Sequence, residues 1–303
     1  MTKSNVKLIK KPYNSYLCGS LSLMNMRFYY LLFFLCFILI KTQTPVVSGN
    51  FKINIAPYKK KVLDQSIQNI YYKLFFVKDS KKSNNKLETL CVLQMSKNFS
   101  KFSDFNKLKM DSLMEVLSQK GEADAKDVNK ALAIKVQWDN SLIKDIKEEK
   151  YIYQETITAT YQYEEAFPKF NWELENESKD ILGYSCRKAT TQYRGRKYTA
   201  WYTTDIPINN GPYVFQGLPG LIMELEDSKN QYHFTVVAMD KKENEIYLRN
   251  EKEIFHIDRD KFRKIHKSFN DNPNFFLDPV YDSNGNPVTF KSKSRPYNPI
   301  ELE

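Results

Sequence analysis

The sequence predicts an α+β fold: a curved, half-barrel-like antiparallel β-sheet with inserted helices and a C-terminal helix packed on it. Three observations point there. Tyrosine and phenylalanine number 20 each in 303 residues while glycine numbers only 9, and such aromatic residues suit the half-buried surface of a strand. Runs with strand-type patterning recur along most of the chain, bounded by polar turns. Helix-period stretches interrupt the strands and follow them, an order that implies α+β rather than alternating β and α units.

Residues 69–79 read as a first strand, with Tyr and Phe on both faces. Residues 87–99 pair with it as a hairpin across the polar turn 81–85, placing Leu90, Val92 and Gln94 on one face and Cys91, Leu93 and Met95 on the other. Asp104 then caps a helix in which Leu108, Leu113, Met114 and Leu117 recur at near-helical spacing. Residues 123–134 predict a second short helix, and the Lys- and acid-rich residues 144–150 a solvated connector. Residues 151–163 form the longest β-type run, and 171–174 continue the sheet after Pro168. Residues 181–189 pair with 197–202 across a turn in which Gly195 supplies a positive φ. Residues 220–226 and 231–240 form the next hairpin across 227–230, and 245–249 is a further short strand. Asp258 caps a helix whose buried stripe is Phe262, Ile265 and Phe269 and which Pro273 ends. Residues 278–303, rich in Pro, Asn and Ser, predict an ordered-to-frayed tail.

The formal charge of +10 is largely an N-terminal effect. Residues 1–48 hold six basic side chains and no acid, leaving 40 basic and 36 acidic beyond them. The excess is scattered, which reads as a solvated Lys-rich surface and gives no expectation of nucleic-acid binding. Residues 28–40 are continuously apolar, with Arg27 before and Lys41 after. Thirteen helical residues span about 20 Å, short of the roughly 30 Å hydrocarbon core. The segment therefore fits the core of a signal peptide over residues 26–48, with Val46 to Ser48 as a cleavage region and residues 49–303 as the exported domain. An uncleaved signal anchor is the alternative, and membrane contact would then run through that segment alone. The protein is expected in the periplasm or at the outer membrane. Cleavage leaves Cys91 and Cys186, which an oxidising compartment would allow to join; two buried free thiols fit their apolar surroundings equally.

Gly217, Leu218, Pro219, Gly220, Leu221 and Ile222 form the most distinctive motif. Pro219 fixes its own φ and keeps Leu218 extended, while Gly220 can take dihedrals closed to other residues. A rigid turn followed at once by an apolar strand results. With Gly183, Tyr184, Cys186, Lys188 and Ala189, then Ala200 to Thr203, Ile206-Pro207 and Gly211-Pro212 in fixed order, the chain resembles the GLPGLI family of secreted envelope proteins of Gram-negative bacteria. The resemblance spans roughly residues 71–271, and the family's biochemical role is unsettled. It implies an interaction subunit beside an outer-membrane, TonB-dependent transport system as one function. The strand order is also similar to half-barrel carriers of lipoproteins and lipids, on arrangement alone.

Two readings of the motif stand. It is a folding corner with no ligand, or the 211–220 loop rims an aromatic groove between the sheet and its helices. On the second reading Trp201, Tyr202, Pro212, Phe215, Leu218 and Pro219 contact a peptide, an apolar chain or a partner, with Phe215 as lid. Glu224 and His233 could meet across a hairpin as an acid–base or metal pair, although a solvated cross-strand polar pair is the commoner outcome. With Asp205 they are the first places to seek a hydrolase. His256 and His266 read as surface residues. Catalytic Ser signatures, phosphate loops and dinucleotide fingerprints are missing, so neither a catalytic residue, a cofactor nor a metal is assigned. The expected function is a non-enzymatic binding or carrier module for an apolar or peptide ligand.

Overall fold

The computed structural model describes residues 46–250, 254–276, 280–281, 287–288 and 293–303. The expectations for the signal segment at residues 28–40 lie outside them. No helix among the described residues is long and apolar enough to cross a membrane.

In chain order the strands are β1 (Ile53–Asn54), β2 (Lys60–Gln65), β3 (Gln68–Val77), β4 (Lys86–Met95), β5 (Phe99–Asp104), β6 (Glu122–Ala123), β7 (Asn140–Asp145), β8 (Lys150–Thr156), β9 (Thr160–Ala166), β10 (Glu173–Ile181), β11 (Tyr184–Tyr193), β12 (Arg196–Thr203), β13 (Leu221–Asp227), β14 (Tyr232–Asp240), β15 (Glu245–Arg249), β16 (Ile254–His256), β17 (Val280–Tyr281) and β18 (Pro287–Val288). The helices are α1 (Phe105–Lys120), α2 (Ala125–Ala133) and α3 (Arg259–Asp271). Twelve strands form one open sheet in the order β10-β11-β12-β13-β14-β3-β4-β5-β7-β8-β9-β16. Every neighbour is antiparallel except β16 on β9. This is the α+β architecture with a dominant antiparallel sheet and a C-terminal helix that the sequence predicts.

Alternation divides the sheet into two faces. One carries the main core, including Ile70, Tyr72, Leu93, Phe102, Leu142, Leu225 and Phe234. The other carries a smaller cluster of Ile143, Ile152 and Leu248, flanked by Leu63 and Phe99, so the two-stranded β2–β15 ribbon covers it. The Arg194–Gly195 turn has positive φ at both residues (43° and 78°), the geometry that a two-residue hairpin favours.

Several local expectations are corrected. The 151–163 run is not one strand but the β8–β9 hairpin, folded at residues 157–159 so that Tyr153 faces Tyr163. The two rings stack at 4.7 Å; the turn carries no Gly, Pro or Asn to announce it. The supposed connector at 144–150 begins inside β7, and Lys144 is only 1% exposed. Its Nζ donates to Asn210 Oδ1 at 2.8 Å and to the Phe215 carbonyl at 3.1 Å. Burial pushes the Lys144 amine down to about 7. Lys101, equally buried, holds its Nζ 3.3 Å from the centre of the Tyr247 ring. Burial lowers it to about 7 as well, with Asp111 pulling the other way. In α1 the buried residues are Lys107, Asp111 and Leu117 rather than a continuous Leu and Met stripe. The reason is polar: Asp111 accepts a hydrogen bond from the Tyr247 hydroxyl at 3.0 Å.

Asp104 caps α1 as expected, accepting from Asn106 N at 2.7 Å. Its other oxygen accepts from Thr89 Oγ1 at 2.8 Å and from the Gln137 and Trp138 amides at 3.1 Å each. One buried carboxylate thus fixes β4, β5, α1 and the 137–138 segment. Asp104→Ala is expected to cost about 3 kcal/mol, combining a lost cap with orphaned buried donors. Urea unfolding followed by tryptophan fluorescence measures it; a midpoint equal to that of the parent protein would show that water replaces the carboxylate.

Candidate functional site: a cleft beneath the C-terminal helix

Helix α3 starts at Asp258, whose side chain accepts from Lys261 N at 2.7 Å. It lays Phe262 against Tyr153 and Tyr163, at 5.3 and 5.5 Å between ring centres. The last residues run beside it. Rather than fraying, residues 298–301 are pinned to the sheet. Asn298 Nδ2 donates to the Val77 carbonyl at 2.7 Å, and the Tyr198 hydroxyl donates to the Ile300 carbonyl at 2.9 Å. Arg196 donates to Asn298 Oδ1 and to the Pro299 carbonyl, both at 2.8 Å, while its guanidinium bridges buried Asp227 at 2.8 Å. Glu301 accepts from Tyr213 at 2.9 Å and meets Arg194 and Arg259 at 3.1 and 2.6 Å. Burial raises its carboxyl, against the pull of Arg194.

Sheet, helix and C-terminal strap enclose an open cleft of about 470 Å³. Phe76, Trp138, Tyr153 and Tyr232 supply its apolar lining. Trp138 is held by its indole N–H, which donates to Asn140 Oδ1 at 2.7 Å, and its ring meets Phe76 edge-on at 5.7 Å. Polar groups enter from three sides: Lys78 after β3, Asp139 just before β7 and Glu155 from β8, and Arg263, His266 and Arg295 from the helix and strap. Glu155 accepts from the Tyr153 hydroxyl and lies 3.7 Å from His266 Nε2. Asp139 touches solvent at the mouth, yet the surrounding protein removes enough water to raise its carboxyl, and nearby Glu155 adds to this. Aromatic walls with a few convergent charged groups are what a small-ligand pocket requires.

The sequence placed the contact residues elsewhere. Trp201, Tyr202, Pro212, Phe215 and Leu218 are buried, and Pro219 is exposed. None of the six lines the cleft. Phe215 is no lid: it is fully buried, 4.6 Å from the Tyr198 ring and stacked on Phe170 at 5.1 Å. The motif works as a corner. Leu221 N donates to the Ile206 carbonyl and Ile222 N to the Asn210 carbonyl, each at 3.0 Å. Gly217, not Gly220, holds the positive φ, at 96°. Gly220 is needed for close approach, since a Cβ there would lie 1.9 Å from the Thr203 carbonyl oxygen. Cys91 and Cys186 are both free and buried, so the possible bridge is not formed; the sheet order sets β12, β13, β14 and β3 between their strands. Glu224 and His233 do meet, at 3.2 Å. His266, read as a surface residue, is half-buried in the cleft. The signal for Glu155 was present: it follows Tyr151 and Tyr153 at period two, an acid on an aromatic face.

A protein-family model described as "Protein of unknown function (Porph_ging)" matches residues 193–224. That stretch runs from the end of β11 through β12 and the motif into β13, and is weakly consistent with the GLPGLI resemblance. No curated protein matches the chain. Among solved structures the chain is similar to PNGF-II in two crystal forms, at TM-score 0.44 with 12% and 14% identity. The matches cover 66% and 67% of this chain, and it spans about a third of either structure's length (33% and 32%).

Proposed function

We propose that this protein is an exported envelope binding module whose ligand, an apolar molecule or a peptide segment, occupies the cleft between the sheet, α3 and the C-terminal strap. The observation that carries the reading is the cleft itself: about 470 Å³, with aromatic side chains from distant parts of the chain held in fixed contact around it. Preformed aromatic walls bind at little ordering cost. Charged groups of both signs at the rim suit a ligand with polar ends, as a peptide has. Export rests on the apolar segment at residues 28–40, and a role beside an outer-membrane transporter on the family resemblance.

Native mass spectrometry of periplasm-purified protein tests the proposal. A co-purifying small molecule or peptide is expected, and His266→Trp, which fills the cleft from α3, is expected to release it while the melting temperature stays within a few degrees. Apo protein alone, or a ligand retained by the folded variant, would count against the cleft as the binding site.

A further inference from the structure

β13 and β14 pair so that Glu226 stands opposite His233 and Glu224 opposite Thr235. Period-two alternation puts these side chains on the face away from Leu225 and Phe234. Each residue is half-buried. One carboxylate oxygen from each glutamate and one ring nitrogen of His233 all lie within 4.8 Å of one another. We propose that Glu224, Glu226 and His233 form a binding site for a divalent first-row transition ion of the zinc type, separate from the cleft and independent of what the cleft holds.

The donor chemistry selects the ion. Two carboxylates and an imidazole match the nitrogen and oxygen ligands that zinc accepts, whereas calcium and magnesium prefer six or more oxygens. Tetrahedral zinc with bonds of about 2.0–2.2 Å sets its ligands roughly 3.3–3.5 Å apart. Glu224 and His233 already stand at 3.2 Å, the Glu226 oxygen lies within 4.8 Å of both, and a metal on His233 Nε2 would replace its 3.1 Å contact with Thr235 Oγ1. Three donors leave one tetrahedral position for water or an external group. All three project from paired strands, which hold a ligand set more firmly than a loop does.

The charge balance favours a cation. Glu224 is served by His233 and by Lys179, whose Nζ lies 2.8 Å away. Glu226 has no cationic partner among the described residues. Lys179 reaches in from β10 with its ammonium 4.3 Å from the Trp201 ring centre. It has the place of a displaceable counter-ion: a metal would take Glu224 from it and leave the ammonium over the indole, where a cation–π contact retains it.

That competition supplies a directional test. Zinc chloride titrated calorimetrically into the purified protein is expected to fill one site, and magnesium chloride none. His233→Ala and Glu226→Gln should each weaken zinc at least tenfold. Lys179→Met should tighten it severalfold, because the competing ammonium is gone. Zinc should raise the melting temperature of the parent protein and of the Lys179 variant but not of the His233 variant, and circular dichroism of each variant confirms its fold. Failure of the parent to bind zinc, undiminished binding in a folded ligand variant, or weaker binding in Lys179→Met would each overturn the site.

Discussion

Gly220→Ala is expected to destabilise the protein by more than about 4 kcal/mol, at the extreme of single-substitution effects. The added methyl would sit 1.9 Å from the Thr203 carbonyl oxygen and 2.7 Å from its carbon. Both are backbone atoms at the end of β12, so no side chain can swing aside. Relief would need β12 and β13 to separate where Thr203 pairs with Leu221 and Tyr202 with Ile222. Gly217→Ala is the control. Its φ of 96° disfavours a side chain, but its nearest neighbour would be the Trp172 indole at 3.4 Å, and a loss of about 1–2 kcal/mol is expected from dihedral strain alone. Urea unfolding of both variants separates the two causes. A Gly220 variant as stable as the Gly217 one would show that β12 and β13 yield to the added methyl and that close approach does not require glycine there.

Stability is expected to rise with pH between 7 and about 10, the reverse of the usual fall above neutrality. Lys101 and Lys144 ordinarily titrate at 10.5, and burial brings each to about 7. Between those values the unfolded chain carries two protons that the folded chain has released. Folding is therefore favoured as protons become scarcer, and this stabilisation is absent below about pH 7. The combined slope approaches about 2.7 kcal/mol per pH unit when both lysines are fully neutral in the fold. The hydrogen bonds agree with a neutral Lys144: an amine has two N–H donors, and its two acceptors are Asn210 and the Phe215 carbonyl. Near pH 10 the trend reverses, because burial raises the hydroxyls of Tyr72, Tyr198 and Tyr232 and the unfolded chain ionises first. Urea midpoints taken from pH 7 to 10 read the slope directly. Lys144→Met should remove about half of it, at the cost of leaving the Phe215 carbonyl without that donor. A flat profile from pH 7 to 9 would mean that water reaches both ammonium groups.

Local chemistry made much of the fold legible. The Arg194–Gly195 turn, the Asp227–Asn230 hairpin and the caps at Asp104 and Asp258 each rest on residues close in sequence, and each forms where expected. Lys101 and Lys144 were illegible because a lysine among polar and charged neighbours reads as solvent-facing, which made 144–150 a connector; only the covering ribbon and the 210–215 loop reveal that they are enclosed. The candidate site was hidden for a related reason. Phe76, Trp138, Glu155, His266 and Asn298 come from five separate segments, and no motif spans them. The glycine-rich corner is compositionally rare, and the close approach of Gly220 to the Thr203 carbonyl shows the backbone packing demand behind its second glycine.

The junction between β14 and β3 joins residues 232–240 to residues 69–76. Until the later segment is available, β3 presents a ladder of open amides and carbonyls along one side, and the five strands β4, β5, β7, β8 and β9 can assemble only onto its other side. Pairing across such a sequence separation is slow, because the intervening chain must be gathered first. An unpaired strand edge of this kind is a template on which another chain can pair.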